Sequence, residues 1–128
     1  MSDYDTGMEI RRAVLGDEYV DAALARQNDL TSAFQDFITR YAWGEVWSRP
    51  GLDRRTRSCL TVSLLAALGH HDELAVHLRG ALRNGVTPDE LREVLLHTAI
   101  YAGVPAANSA FAVAQKILAE EGRRENPA

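Results

Sequence analysis

GVTPDELREVLLHTAIYAG, residues 85–103, reads as a helix with both of its ends written into it. Thr87 is placed to cap, and Pro88 takes the first helical position, where its missing N–H costs nothing. Glu90, three residues after the threonine, completes a capping box. The apolar spacing then runs to Ala102 and stops at Gly103. Just upstream, Asn84-Gly85 is the left-handed stop expected of a preceding helix.

Working outward, the same helical periodicity recurs along the chain. Upstream lie a helix over Asp72–Arg83 and an apolar one from its cap at Asp53 to Leu68, ended by Gly69. Before them, Arg49-Pro50-Gly51 breaks the chain into a turn. Earlier still, helices are expected over Asp5–Leu15, Asp17–Asn28 and Thr31 to about Gly44, the last with Phe34, Phe37, Ile38 and Tyr41 in helical spacing. Downstream, Pro105–Glu121 reads as the last helix, with residues 122–128 as a frayed polar tail. No segment is convincingly β. The fold class is therefore all-α, with about six to seven helices in one domain spanning residues 1–128. The Leu60–Leu68 stretch is apolar nearly all round, and the faces around Ala99–Ala114 are rich in alanine. In a chain this small that asks for a central position or burial against another subunit.

Composition narrows the function. The chain has 128 residues, is 46% hydrophobic and 25% charged, and carries a formal net charge of −4. That is an ordinary globular balance, and it argues against a general nucleic-acid binder. No apolar run is long enough to span a membrane, and MSDYDTGMEIRR at the start has no apolar signal region. The lone Cys59 cannot form an internal disulfide, which fits a cytoplasmic setting. It reads as a small packed thiol.

The chemistry concentrates in RYAWGEVWSRPGLDRRTRS, residues 40–58, which holds both tryptophans and five arginines. Flat rings beside cations suit a small planar anion, because arginine grips carboxylates in a fixed two-pronged geometry. Trp43 and Trp47 also suit one side of a packed helix, with Arg49, Arg54, Arg55 and Arg57 solvated around them. Glu45 lies between the tryptophans; if they shield it from water, its proton affinity rises and it becomes an acid or base near neutral pH.

His70, Glu73 and His77 fall at i, i+3 and i+7 and share a face if one helix covers them. Two histidines and a carboxylate on one face can bind zinc or iron, but the spacing matches no well-attested metal motif, so no metal is expected. His77, in mid-helix, is the better acid–base candidate, with a packing role as its alternative. His70 and His71 read as surface residues, and His97, among Leu95, Leu96 and Ile100, as a core histidine. The turn around Gly103 could offer backbone amides and Asn108 to a ligand, although a plain tight turn explains it as well. No phosphate loop, nucleophile elbow or dinucleotide fingerprint is present.

These residues carry a resemblance over nearly the whole chain. GMEIRRAVLG (7–16), RYAWGEVWSRPGLDRRTRS (40–58), ELAVHLRGALRNGVT (73–87) and YAGVPAANSAFAVA (101–114) resemble the carboxymuconolactone decarboxylase family, within the alkylhydroperoxidase D-like superfamily. The resemblance implies an all-helical, alkylhydroperoxidase D-like bundle that assembles as a homo-oligomer, a trimer or a hexamer. It implies cofactor-free decarboxylation of a dicarboxylate lactone in the protocatechuate branch of the β-ketoadipate pathway. Peroxidase members of the superfamily carry C-x-x-C-x-x-x-H. Aligning their histidine with His77 puts His70 and Glu73 where their cysteines stand, which removes the thiol pair that peroxide chemistry needs. The expected catalytic residues are His77, with Glu45 as the inferred carboxylate. The expected substrate-binding residues are Trp43, Trp47, Arg49, Arg54, Arg57, His70 and Glu73. A peroxidase-like or other lactone-handling activity, and a non-catalytic ligand-binding oligomer, are the alternatives.

Overall fold

The computed structural model describes residues 2–125, and among them every regular element is helical. They form α1 (Asp3–Leu15), α2 (Asp17–Arg26), α3 (Ser32–Ile38), a π-helix (Thr39–Val46), α4 (Arg54–Leu68), α5 (His71–Arg83), α6 (Pro88–Ala102) and α7 (Val104–Glu125). The local signals hold. Thr87 Oγ1 accepts from the Glu90 backbone N–H at 3.1 Å, and Glu90 Oε1 accepts from the Thr87 N–H at 3.0 Å. Gly85 and Gly103 have φ of 89° and 98°, the left-handed backbone that ends each helix at no cost to a residue without Cβ.

The chain divides into two compact units, one ending at Arg54 and the other beginning at Arg55. In the first, α1 packs along the π-helix. It buries Gly7, Ile10, Arg11, Val14 and Leu15. The crossing is close because two glycines meet there. A Cβ on Gly7 would stand 2.0 Å from the Thr39 carbonyl oxygen, and one on Gly44 would stand 2.3 Å from that of Asp3. α2 ends at Arg26 rather than at the expected Asn28. There the Asn28 Oδ1 accepts from the backbone N–H groups of Leu30 and Thr31 at 2.9 and 3.2 Å, turning the chain away.

The expected third helix is α-helical only to Ile38 and continues as a π-helix. The Trp47 N–H donates to the Ala42 carbonyl at 2.9 Å, five residues back. A π-turn holds about 4.4 residues, so residues four and five apart share a face. The buried residues of the segment are accordingly Thr39, Trp43 and Gly44. Phe34, Phe37 and Tyr41 face outward, and Phe37 stacks on Tyr41 with ring centroids 5.3 Å apart.

The second unit has its own core. Val62 and Ala66 of α4, Leu74, Leu78 and Ala81 of α5, Leu91 and Leu95 of α6, and Ala110, Ala114 and Ile117 of α7 are all buried in one cluster. Cys59 packs against that cluster, half-buried. Polar pins cross between the helices. Ser63 Oγ and Thr98 Oγ1 lie 2.7 Å apart, Asn84 Nδ2 donates to the buried Ser58 Oγ at 2.9 Å, and Arg79 pairs with Glu120 and Glu121.

Two expectations need correction here, and a third, for Leu60–Leu68, loses its central-position alternative. His97 is exposed and sits against Tyr101 at 5.2 Å, because α6 turns Leu91, Leu95 and Thr98 inward and His97 lies off that stripe. The Leu60–Leu68 stretch is not covered all round within the chain: Val62 and Ala66 face the core, while Leu60, Leu64 and Leu68 are exposed. The tail is helical as far as Glu125, with Arg123 and Arg124 in the last turn, where cations favour a helix C-terminus. Residues 126–128 of that tail lie outside the described residues.

Candidate active site

The π-helix sets the aromatic part of the site. Trp43 is buried and Trp47 half-buried, and their rings stack with centroids 4.9 Å apart and planes 30° apart. The same register sends Glu45 the other way. Two residues along a π-helix is a rotation of about 160°, so Glu45 leaves the face that carries the tryptophans. It is exposed, and the expected shielding by the indoles is absent.

Trp47 lines a cavity of about 420 Å³ in the first unit with Arg49 and Arg54. The structure thus brings together three of the expected binding residues, two from the turn that follows the π-helix and Arg54 from the start of α4. The rest of the wall was not foreseen: Thr6, Glu9 and Ile10 come from α1, and Ser48, Pro50, Leu52 and Asp53 from the turn. The one hint in sequence was Gly7 in mid-helix, since such a glycine costs helix stability and usually has a packing reason. It lets α1 lie against Thr39 and Gly44 and so carries Thr6, Glu9 and Ile10 to this wall. Arg49 and Arg54 place two guanidinium groups on this wall, beside the carboxylates of Glu9 and Asp53.

In the second unit His77 is half-buried in the middle of α5. Burial lowers its pKa to about 4, against the opposing pull of Glu73 one turn earlier. The imidazole is therefore neutral at pH 7. A neutral imidazole donates one N–H hydrogen bond and accepts at its other nitrogen. Glu73 is exposed, and His70 is exposed and just precedes α5. Arg57 is half-buried on α4. Arg55 forms an ion pair with Glu90. Asn108 is an exposed residue of α7, and Gly103 alone separates α6 from α7, so that turn is a tight connection.

No described helix is long and apolar enough to cross a membrane. Among the described residues, no group of three or more His, Cys, Asp or Glu side chains is arranged to hold a metal ion.

Residues 32–116 match the carboxymuconolactone decarboxylase family. A 4-carboxymuconolactone decarboxylase of Acinetobacter baylyi is 51% identical over 119 residues, covering 93% of this chain and 89% of that protein. A nitrosuccinic acid decarboxylase, npaB, of Metarhizium robertsii is 47% identical over 115 residues, covering 90% and 80% of the two chains. A 4-carboxymuconolactone decarboxylase sequence of Pseudomonas putida is 55% identical over 42 residues, 33% of this chain and 88% of that one. With its all-helical fold and this similarity along most of its length, the chain belongs to the carboxymuconolactone decarboxylase family.

Proposed function

We propose that this chain decarboxylates 4-carboxymuconolactone to 3-oxoadipate enol-lactone and carbon dioxide, a carbon–carbon lyase of protocatechuate catabolism acting in the cytoplasm. The observation that carries the reading is the 51% identity with the Acinetobacter decarboxylase over 93% of the chain. In the substrate, one ring carbon next to the ring oxygen bears both a carboxylate and a carboxymethyl arm. Breaking the bond to the carboxylate releases carbon dioxide and leaves an electron pair. That pair runs through the ring double bond to the lactone carbonyl oxygen as a dienolate. One proton, taken up at ring carbon, completes the reaction. The substrate supplies its own electron sink, so the step asks for no cofactor.

The protein's tasks are to hold two carboxylates, to stabilise the dienolate oxygen and to manage one proton. Arg49 and Arg54 suit the first task, and the Trp47 ring, backed by Trp43, offers an apolar wall where desolvation favours loss of the carboxylate as neutral carbon dioxide. The neutral His77 N–H suits the second. A neutral imidazole is a poor acid, so His77 acts here as a hydrogen-bond donor to the oxygen rather than as the primary proton source. Replacing Arg49 or Arg54 singly by Met is expected to lower kcat/KM by roughly 2–4 kcal/mol in at least one case, the cost of a lost desolvated arginine–carboxylate contact. If both variants stay within about threefold of wild type in steady-state assays, the dicarboxylate is held elsewhere.

The fungal relative supports a second reading. Nitrosuccinic acid also has a carbon bearing a carboxylate and a carboxymethyl arm, with a nitro group in place of the unsaturated lactone as electron sink. Parallel measurement of kcat/KM on the two compounds tests the assignment. The lactone is expected to lead by at least about a hundredfold; a lead for nitrosuccinate would transfer the function to it.

Assembly completes the proposal. Leu60, Leu64 and Leu68 on α4, Ile100 and Tyr101 on α6, and Val104 on α7 are exposed apolar side chains of the second unit. We place them at contacts between copies in an alkylhydroperoxidase D-like trimer or hexamer. Light scattering at micromolar protein should return at least about three times the 14.1 kDa chain mass. A clean, fully active monomer would remove the assembly.

A further inference from the structure

Arg11 lies in the middle of α1 with 3% of its surface exposed. Buried charges are normally paired, because desolvation of an ion is costly. The Arg11 guanidinium donates instead to two neutral oxygens: from one terminal nitrogen to Thr39 Oγ1 at 3.1 Å, and from the other to Gln35 Oε1 at 2.9 Å. Its Nε–H is buried with no hydrogen-bond partner among the described residues. The charged or titratable groups facing it are Tyr4, Tyr19 and Arg12, none of them a carboxylate. A guanidinium kept in so unfavourable a place has a task beyond stability.

Its two acceptors say what that task is. Gln35 belongs to the last turn of α3, and Thr39 is the first residue of the π-helix. Between them, the Thr39 hydroxyl donates back to the Gln35 carbonyl at 2.8 Å, and the Thr39 N–H is shared between the carbonyls of Gln35 and Asp36. This is the point where the hydrogen-bond register passes from i→i−4 to i→i−5. An eight-residue π-helix is rare and has no stability of its own to spare. If the extra residue were not accommodated, every side chain beyond the junction would rotate by about 100°. Thr39 and Gly44 would no longer face α1 together, and Trp43 and Trp47 would leave their present face.

We propose that Arg11 is a positioning residue. Its guanidinium clamps the junction at Gln35 and Thr39, and so fixes the register that stacks Trp43 on Trp47 and presents Trp47 to the cavity shared with Arg49 and Arg54. The functional half of this statement rests on the reading of that cavity as the substrate site.

The test uses the full-length chain and two readouts. Stacked indoles give an exciton couplet in circular dichroism, which reports the Trp43–Trp47 geometry without any assay. Arg11→Met is expected to keep its helical content, lose the couplet and lower kcat/KM on the lactone at least about tenfold, carried by KM. Gln35→Met and Thr39→Val each remove one acceptor; they should weaken the couplet in the same direction, and they decide the matter if Arg11→Met fails to fold. Val20→Ala, a buried change in α2, is the control: it lowers stability and leaves couplet and kcat/KM unchanged. An intact couplet in the Arg11, Gln35 and Thr39 variants overturns the positioning role. A lost couplet with kcat/KM unchanged upholds the clamp and overturns the placement of substrate beside Trp47.

Discussion

His77→Ala is expected to lower kcat on the lactone by roughly 10²–10⁴, with a smaller change in KM. In the proposed role the interaction removed strengthens only as charge reaches the dienolate oxygen, and such losses fall on kcat. The protonation state of His77 makes the expectation sharper. Burial holds its pKa near 4, below the ordinary 6.5, although Glu73 pulls the other way. Activity that depends on the neutral imidazole should therefore be level from neutral pH down to about 5 and fall below that. An imidazolium acid at this position would show the opposite, losing activity as pH rises through about 4. Stability follows the same group. Below pH 6.5 the unfolded chain takes up a proton that the folded chain refuses, so stability is full above that pH and declines toward pH 4. The decline is on the order of 3 kcal/mol. His77→Gln should flatten that slope in urea titrations run across the range. A His77→Ala variant that folds well and keeps near-normal kcat would return the residue to a packing role.

Gly7→Ala is expected to destabilise the chain by at least about 3 kcal/mol, although alanine is the better helix former by about 1 kcal/mol. The new methyl would stand 2.0 Å from the Thr39 oxygen and 2.9 Å from the Gly44 nitrogen. Both are backbone atoms of the π-helix and cannot swing aside as a side chain could. Relief requires moving α1 away from the π-helix, and α1 brings Thr6, Glu9 and Ile10 to the cavity. Activity should therefore suffer in whatever fraction still folds. Gly44→Ala meets the Asp3 carbonyl at 2.3 Å, but Asp3 opens α1 and can shift, so its cost should be smaller. Gly122→Ala meets nothing within 4 Å and should stabilise by roughly 0.5–1 kcal/mol. Urea unfolding of the three variants checks the order, and a Gly7→Ala chain as stable as wild type would show that the crossing is looser than described.

What could be read from the sequence was what short-range chemistry decides. The Thr87–Glu90 box, the stops at Gly85 and Gly103 and the turn at Pro50-Gly51 involve neighbours along the chain, and each stands where its spacing put it. The π-helix was not legible, because its extra residue is accommodated by α1, some thirty residues away. Trp47, Arg49 and Arg54 were found as a cluster because they adjoin in sequence; Thr6 and Glu9 were missed because only the Gly7–Gly44 crossing brings them near. Arg11 was passed over for a similar reason. Nothing along the chain distinguishes Arg11 from Arg12, yet Arg12 reaches Asp17 and Asp21 at the surface while its neighbour turns inward. His97 was misjudged because apolar neighbours in sequence do not say which face of α6 meets the core. Glu45 is not shielded by the indoles because standing between two tryptophans in sequence puts it opposite them on a helix.

In the proposed reaction the substrate's own lactone carbonyl is the electron sink. The most direct measurement is ultraviolet monitoring of 4-carboxymuconolactone conversion by dialysed protein, with excess chelator and no added cofactor, alongside released carbon dioxide. Undiminished turnover is expected, with one carbon dioxide released per lactone consumed. Turnover abolished by the chelator and restored by a metal ion would contradict it, as would an untouched lactone beside thiol-dependent consumption of peroxide.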